Sequence, residues 1–244
     1  MVHSLAYAGK KHGKGGTFRW LYSKEIQWTR FSSPYSLLLT LFYLFFAVRL
    51  FKNKRTGSVL FLLPVIAGLV YDNGILAAGR FIGEGPILES LNYARFWIHA
   101  FLTPLLVLFA WKTLQQAGVQ WAQKTWARIT AFLLTTSLIG LELFTEVFGL
   151  VIQPEQSYGV LSYGKVESAS GPPVMVLIVS VVLLGASILI WRKQGWLWFF
   201  VGSFVMIVGS AVQLPVKSGA VTNLFELVPL SSLVATARFQ STWK

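Results

Sequence analysis

The feature that most constrains this chain is a succession of apolar runs, each close to the length needed to cross a bilayer. In lipid only a helix satisfies its own backbone hydrogen bonds within one such run, and about 20 residues span the hydrocarbon. Seven runs are legible: Pro34 to Val48, Gly57 to Ile82, Pro86 to Trp111, Thr125 to Leu150, Pro172 to Trp191, Gly195 to Leu214 and Val221 to Ala237. The first is short, and reaches a full span when Arg30 and Arg49 snorkel at its ends. Composition agrees: the 244 residues are 55% hydrophobic and only 12% charged, whereas a soluble domain carries about 25% charged residues. The expectation is an all-α integral membrane bundle of about seven transmembrane helices. Residues 1–33 form a basic, Gly-rich tail in which "WLYSKEIQWTRF" (20–31) has the mix of aromatics and charges of an interfacial helix. Residues 34–238 form the bundle, and 239–244 a C-terminal tail.

The charges between the runs give an orientation. Arg49, Lys52, Lys54 and Arg55 follow the first run, Lys112, Lys124 and Arg128 the third, and Arg192 and Lys193 the fifth. The alternate connections are poor in positive charge. The positive-inside rule then places the N-terminus outside and the C-terminus, with Arg238 and Lys244, in the cytoplasm. The basic tail opposes this assignment, and the consistent alternation of the short loops outweighs it. The longest connection, Val151 to Gly171, falls outside, as a lid over the bundle or a mobile loop. A bacterial source would make this a multi-pass protein of the plasma (inner) membrane.

Several function classes fall away. The chain has no cysteine, which removes disulfides, thiol catalysis and cysteine-ligated metals. "GKKHGKGG" (9–16) is not a phosphate-binding loop: its spacing is one residue short and no Ser or Thr follows the lysine. The net charge of +12 is scattered between apolar segments, so it fits topology and anionic headgroups at the basic tail, not nucleic acid. The tryptophans lie mostly near helix ends, as an interfacial belt does.

What remains is a set of polar residues inside the runs. A charge at the centre of a spanning helix costs about 2.5–3.5 kcal/mol on insertion scales, so such residues face protein or a wet cavity. On the second helix Asp72, beside Asn73, shares a face with Gly68, Leu76 and Gly79, and the glycines admit a close neighbour. Arg80 lies near that helix end, within reach of Glu84, Glu89 or a headgroup. Asn92, Arg95, His99 and Thr103 form a stripe on the third helix. Thr135, Glu142, Thr145, Glu146 and Gly149 form one on the fourth; Asn223 and Glu226 share a face of the seventh, and Gln213 closes the sixth. Chain alternation brings the ionisable groups of four helices to one half of the membrane, the outer half in the orientation above. Four acids against Arg95 and Arg80 imply a protonated carboxyl or a bound cation.

Three readings follow. A lipid or small-molecule enzyme would use Asp72 and Glu142 as an acid–base pair with His99 as proton shuttle, and Asn73, Arg80, Arg95, Glu146 and Glu226 as binding groups. A proton- or ion-linked carrier or sensor would use the same carboxylates and histidine as a relay. A non-catalytic protein would use them only to fix helix register. No nucleophile elbow accompanies Ser137 or Ser162. No zinc-type ligand spacing surrounds His99, so no metal or cofactor is expected. The seventh helix lacks a central lysine for a retinal Schiff base.

"YDNGILAAGRFIGEG" followed by "LNYARFWIHAFLTP", from Tyr71 to Pro104, resembles a family of polytopic membrane proteins of unassigned activity. The segment "NLFELVPLSSLVATAR" adds to the likeness. The resemblance implies a multi-helix membrane fold and no particular reaction. Seven-helix lipid hydrolases of the alkaline ceramidase group are similar in architecture. Their paired late histidines have no counterpart here.

Overall fold

The structure is a computed structural model that describes the backbone of residues 15–52, 57–157, 160–166, 174–211 and 219–243. Side chains are described within those ranges except at 15–33, 209–211 and 219–225. The helices are α1 (Gly15–Lys52), α2 (Val59–Ile82), α3 (Pro86–Leu102), α4 (Leu105–Gln116), α5 (Thr125–Glu142), α6 (Val174–Gln194), α7 (Trp198–Ala211) and α8 (Gly219–Thr242). α3 and α4 are two halves of one 31-residue apolar stretch, Pro86–Gln116. Pro104 cannot donate to the helical ladder, and the chain turns there through Thr103 N–H to His99 O, 3.1 Å, and Leu106 N–H to Thr103 O, 3.1 Å.

Among the described residues, five stretches are long and apolar enough to cross a membrane: Pro34–Lys52, Val59–Ile82, Pro86–Gln116, Thr125–Val147 and Val174–Gln194. Trp198–Val208 is a shorter apolar helix. The fold is therefore an all-α membrane bundle, with helix in each expected run and the third run divided into α3 and α4. Two boundaries differ. α1 is continuous from Gly15 through Pro34, so the stretch read as a separate interfacial helix is the first half of one 38-residue rod. At the other end, α8 takes in most of what reads as a C-terminal tail. Phe239 stacks on Trp196 at 4.3 Å, and Gln240 is buried, so packing carries the helix on to Thr242.

α4 lies at the centre, touching α2, α5, α6 and α8. Its buried residues Leu106, Val107, Phe109, Ala110 and Leu114 form the middle of the main core, where Phe109 meets Phe199 of α7 edge-to-face at 6.1 Å. Buried hydroxyls along the helices bond back to carbonyls three or four residues earlier, as Thr40 to Ser36, Thr135 to Ala131 and Ser180 to Val176 do. Each such bond gives a buried donor an acceptor within its own helix, whereas the Ser36 and Ser203 hydroxyls are buried without one.

The long connection holds the two strands found among the described residues. Ile152–Ser157 (β1) pairs antiparallel with Val160–Lys165 (β2), Ile152 opposite Lys165 and Ser157 opposite Val160. The hairpin caps the ends of α2 and α3. Ile152, Leu161 and Tyr163 join Ile75 and Leu88 in a second small core, and Gly85 N–H donates to the Tyr163 hydroxyl at 3.1 Å. Over residues 151–157 and 160–166 the connection packs as this cap.

Candidate functional site

Beneath the hairpin, the polar residues of α2, α3, α5 and β2 meet. On α2, the two glycines flanking Asp72 each admit a neighbour, though different ones. A Cβ on Gly68 would lie 2.9 Å from Ile98 Cγ2 and from Leu102 Cδ1 of α3. A Cβ on Gly79 would collide with the Leu161 carbonyl of β2. Glycine at these two points thus sets both the α2–α3 distance and the seat of the hairpin.

With α3 drawn close, Arg95 Nε donates to Asp72 Oδ1 at 2.5 Å, and Arg95 Nη1 donates to Asn92 Oδ1 at 2.7 Å. Asn92 is itself buried and donates from Nδ2 to Leu88 O at 2.7 Å. The guanidinium is therefore held from two sides in a fixed plane, as its fork geometry favours. Asn73, also buried, donates to Leu69 O at 2.9 Å and so faces its own helix backbone. One turn on from Arg95, His99 is exposed, with Nδ1 3.2 Å from Thr103 Oγ1. It lies close enough to Asp72, Arg95 and Lys165 to interact with the charge of each.

α5 ends in a π-turn, Leu143–Val147, with Phe148 N–H donating to Leu143 O at 2.8 Å. Such i→i+5 turns cost regular hydrogen-bond geometry and recur at functional positions. Here Glu142 is 6% exposed, while Glu146 pairs with Lys165 of β2. Lys165 also lies over the Phe96 ring, 5.4 Å from its centroid, and close enough to Glu142 to interact with it. Burial pushes the Lys165 ammonium below the usual lysine range, and Glu142 opposes that shift. Thr145, expected on the same stripe, is exposed and bonds to Leu141 O.

From α8, half-buried Glu226 comes within the electrostatic reach of Asp72 and Arg95. Gln213 and the side chain of Asn223 lie outside the described residues. Of the residues singled out from sequence, Asp72, Arg95, His99, Glu142, Glu146 and Glu226 therefore share one region. Arg80 does not join them. Its guanidinium sits over Phe81, 4.5 Å from the ring centroid, at the exposed helix end.

The second cation of the cluster is Lys165, which sequence reasoning left in a loop. Its signal was the alternation Leu161, Tyr163, Lys165, which puts all three on one face of a strand. Among the described residues, no group of three His, Asp or Glu side chains is arranged to hold a metal ion. Chemically, the region offers a fixed guanidinium, a lysine carried by the hairpin, an imidazole and carboxyls in excess. Comparison of the chain with protein-family models and with curated protein sequences finds no match in either.

Proposed function

We propose that this cluster is a ligand site open to the hairpin side of the bilayer, where the protein handles a lipid or small molecule bearing a positively charged group. The observation that carries the reading is the partial exposure of both ion pairs: 16% and 23% for Arg95 and Asp72, 23% and 21% for Lys165 and Glu146. A network serving only to fix helix register is most stable when dry and fully paired. These charges instead stay reachable beneath a cap, and His99 between them is exposed.

The charge balance supports the class of ligand. Asp72, Glu142, Glu146 and Glu226 face Arg95, Lys165 and one imidazole. No hydrogen-bond donor among the described residues reaches the Glu142 carboxyl. An ammonium headgroup would meet that excess of acid. For chemistry on such a ligand, His99 and Glu142 are better placed to exchange protons than Asp72, whose carboxylate is taken up by Arg95.

A carrier would need a polar path through the other half of the bundle. Among the described residues the buried polar side chains of that half are neutral, as in the pairing of Trp196 with Thr236 and of Gln240 with Gln194 and the Thr113 carbonyl. One-sided handling is therefore favoured over transport.

The test is native mass spectrometry of the purified protein released from nanodiscs of phosphatidylethanolamine and phosphatidylglycerol, with the lipid products analysed in parallel. Wild type retains or converts the amine lipid. Glu142→Gln loses this while keeping the wild-type thermal transition, and Asp72→Asn loses it while the protein still accumulates with a lowered transition. Unchanged retention in both variants, or failure of both to accumulate, would leave only the structural role.

A further inference from the structure

The opposite end of the bundle carries a second site. At the ends of α1 and α8, Phe46, Arg49, Leu50, Arg238, Ser241 and Thr242 line a cleft of about 330 Å3. We infer that this cleft binds the phosphate of an anionic phospholipid, with Arg49 and Arg238 as its cationic walls.

Three observations lead there. The first is charge segregation. Arg49 and Lys52 on α1, Lys112 on α4, Arg192 and Lys193 on α6 and Arg238 on α8 all lie at this end. Every acidic side chain among the described residues lies in the hairpin half or on the hairpin and the α2–α3 turn. Neither Arg49 nor Arg238 has a carboxylate partner among the described residues.

The second is orientation. The Arg238 guanidinium lies over the Phe46 ring, 5.3 Å from its centroid. An aromatic face steadies an arginine without neutralising it, so its donors remain available to an oxyanion. Two helix C-termini, α1 at Lys52 and α8 at Thr242, add partial negative charge here. Each amounts to about half an elementary charge, less than the two guanidiniums supply.

The third is the path for the tail of a lipid. Along α1 from this cleft, Phe45, Phe42, Leu41 and Leu38 are exposed, 42–66% each. The apolar strip begins at Phe46 and Leu50, the apolar wall of the cleft. A soluble phosphate would use the arginines and leave the strip bare. A phospholipid fills both. Ser241 and Thr242 donate to Arg238 O and Phe239 O within their own helix turn, so the two arginines are the donors the cleft offers to a phosphate.

The experiment uses full-length protein in micelles doped with phosphatidylglycerol or phosphatidylcholine and reads retained lipid by native mass spectrometry. Phosphatidylglycerol is retained more strongly than phosphatidylcholine, and only its retention depends on Arg49 and Arg238. Arg49→Gln and Arg238→Gln each reduce retention about fivefold, the effect of one basic residue at an anionic surface. Arg192→Gln, which removes the same charge from the same end but outside the cleft, leaves retention unchanged. Ser241→Asp places a carboxylate at the cleft without touching the core, and it lowers retention even if an arginine variant proves unstable. Equal loss in Arg192→Gln would overturn the site in favour of diffuse attraction. Displacement of the lipid by millimolar inorganic phosphate would overturn the lipid as its occupant.

Discussion

In the half of the bundle beneath the hairpin, the polar side chains between helices are Asp72, Arg95, His99, Glu142, Glu146 and Glu226, joined by Lys165 from the strand above. In the other half the buried polar side chains are neutral, Ser58, Thr113, Ser187, Gln194, Thr236 and Gln240 among them. Gln240 Nε2 donates to Thr113 O at 3.0 Å and to Gln194 Oε1 at 3.1 Å, and all three residues are buried. The neutral set ties α4, α6 and α8 together and excludes solvent, while full charges are kept to the rim as Arg49, Lys193 and Arg238. The ionisable set is only partly buried and is covered by a small, separately packed cap. A structural polar contact in lipid needs no net charge and gains nothing from access. The contrast supports the hairpin half as the proposed site.

Substitutions can break this comparison. The largest effect is expected at Arg95. Arg95→Met leaves Asp72 without its guanidinium in a part-buried setting. Loss of one partner costs about 3–5 kcal/mol for a fully buried pair, and the residual exposure here lowers that to roughly 2 kcal/mol. Thermal unfolding in detergent measures it, and adding Asp72→Asn should restore part of the loss.

Gly79→Leu comes next. Its side chain must displace the Leu161 backbone, at a cost of about 1–3 kcal/mol for overpacking. Amide exchange in β1 and β2 should rise sharply, while α4 and α6 stay protected. Gln240→Leu in the neutral half is smaller, about 0.6 kcal/mol on average for an interhelical hydrogen bond. It should leave hairpin exchange unaltered. If Gln240→Leu proved costlier than Arg95→Met, the contrast between the halves would fail.

The smallest effect is a titration. Lys165 should deprotonate below the exposed lysines, which titrate near 10.4, because burial disfavours its charged form more than Glu142 restores it. The docked hairpin then holds this proton less tightly than the undocked one. Docking therefore gains stability as pH rises through the docked pKa toward the exposed value. NMR of 13C-methylated lysines, assigned with Lys165→Arg, reads this directly. Titration together with the exposed lysines would remove the burial argument.

Much of this architecture could be read from the chain, because span length and loop charge are local signals. Apolar runs such as 57–82 and 125–150 map onto helices to within a few residues of either end. The stripe Asn92, Arg95, His99 was legible for the same reason: residues three and four apart share a helix face. Asp72 meeting Arg95 required only that neighbouring helices pack. Two kinds of information were out of reach.

The first is the hairpin. Its strands are short, Pro154 interrupts the pattern, and "VIQPEQSYGVLSYGK" reads as a polar loop unless it is known to lie on apolar helix ends. Lys165 was therefore assigned to a loop, and Arg80 was considered for the pairing in its place. The second is continuity. Proline usually ends a helix in water, but in α1 the chain passes Pro34 unbroken. Membrane helices tolerate this where neighbouring groups satisfy the freed carbonyl.

The central claim is that the hairpin half holds an accessible site and the other half a dry core. The absence of any native cysteine makes a direct test possible. Single cysteines are introduced as His99→Cys and, in the opposite half, at buried Ala110→Cys, and the protein in nanodiscs is treated with a membrane-impermeant cationic thiosulfonate. That reagent reacts only with a thiolate in contact with water. Rapid labelling at position 99 and none at 110 is the result expected here. If position 99 is as silent as 110 while the protein remains folded, the cluster is a closed network and the ligand site does not exist.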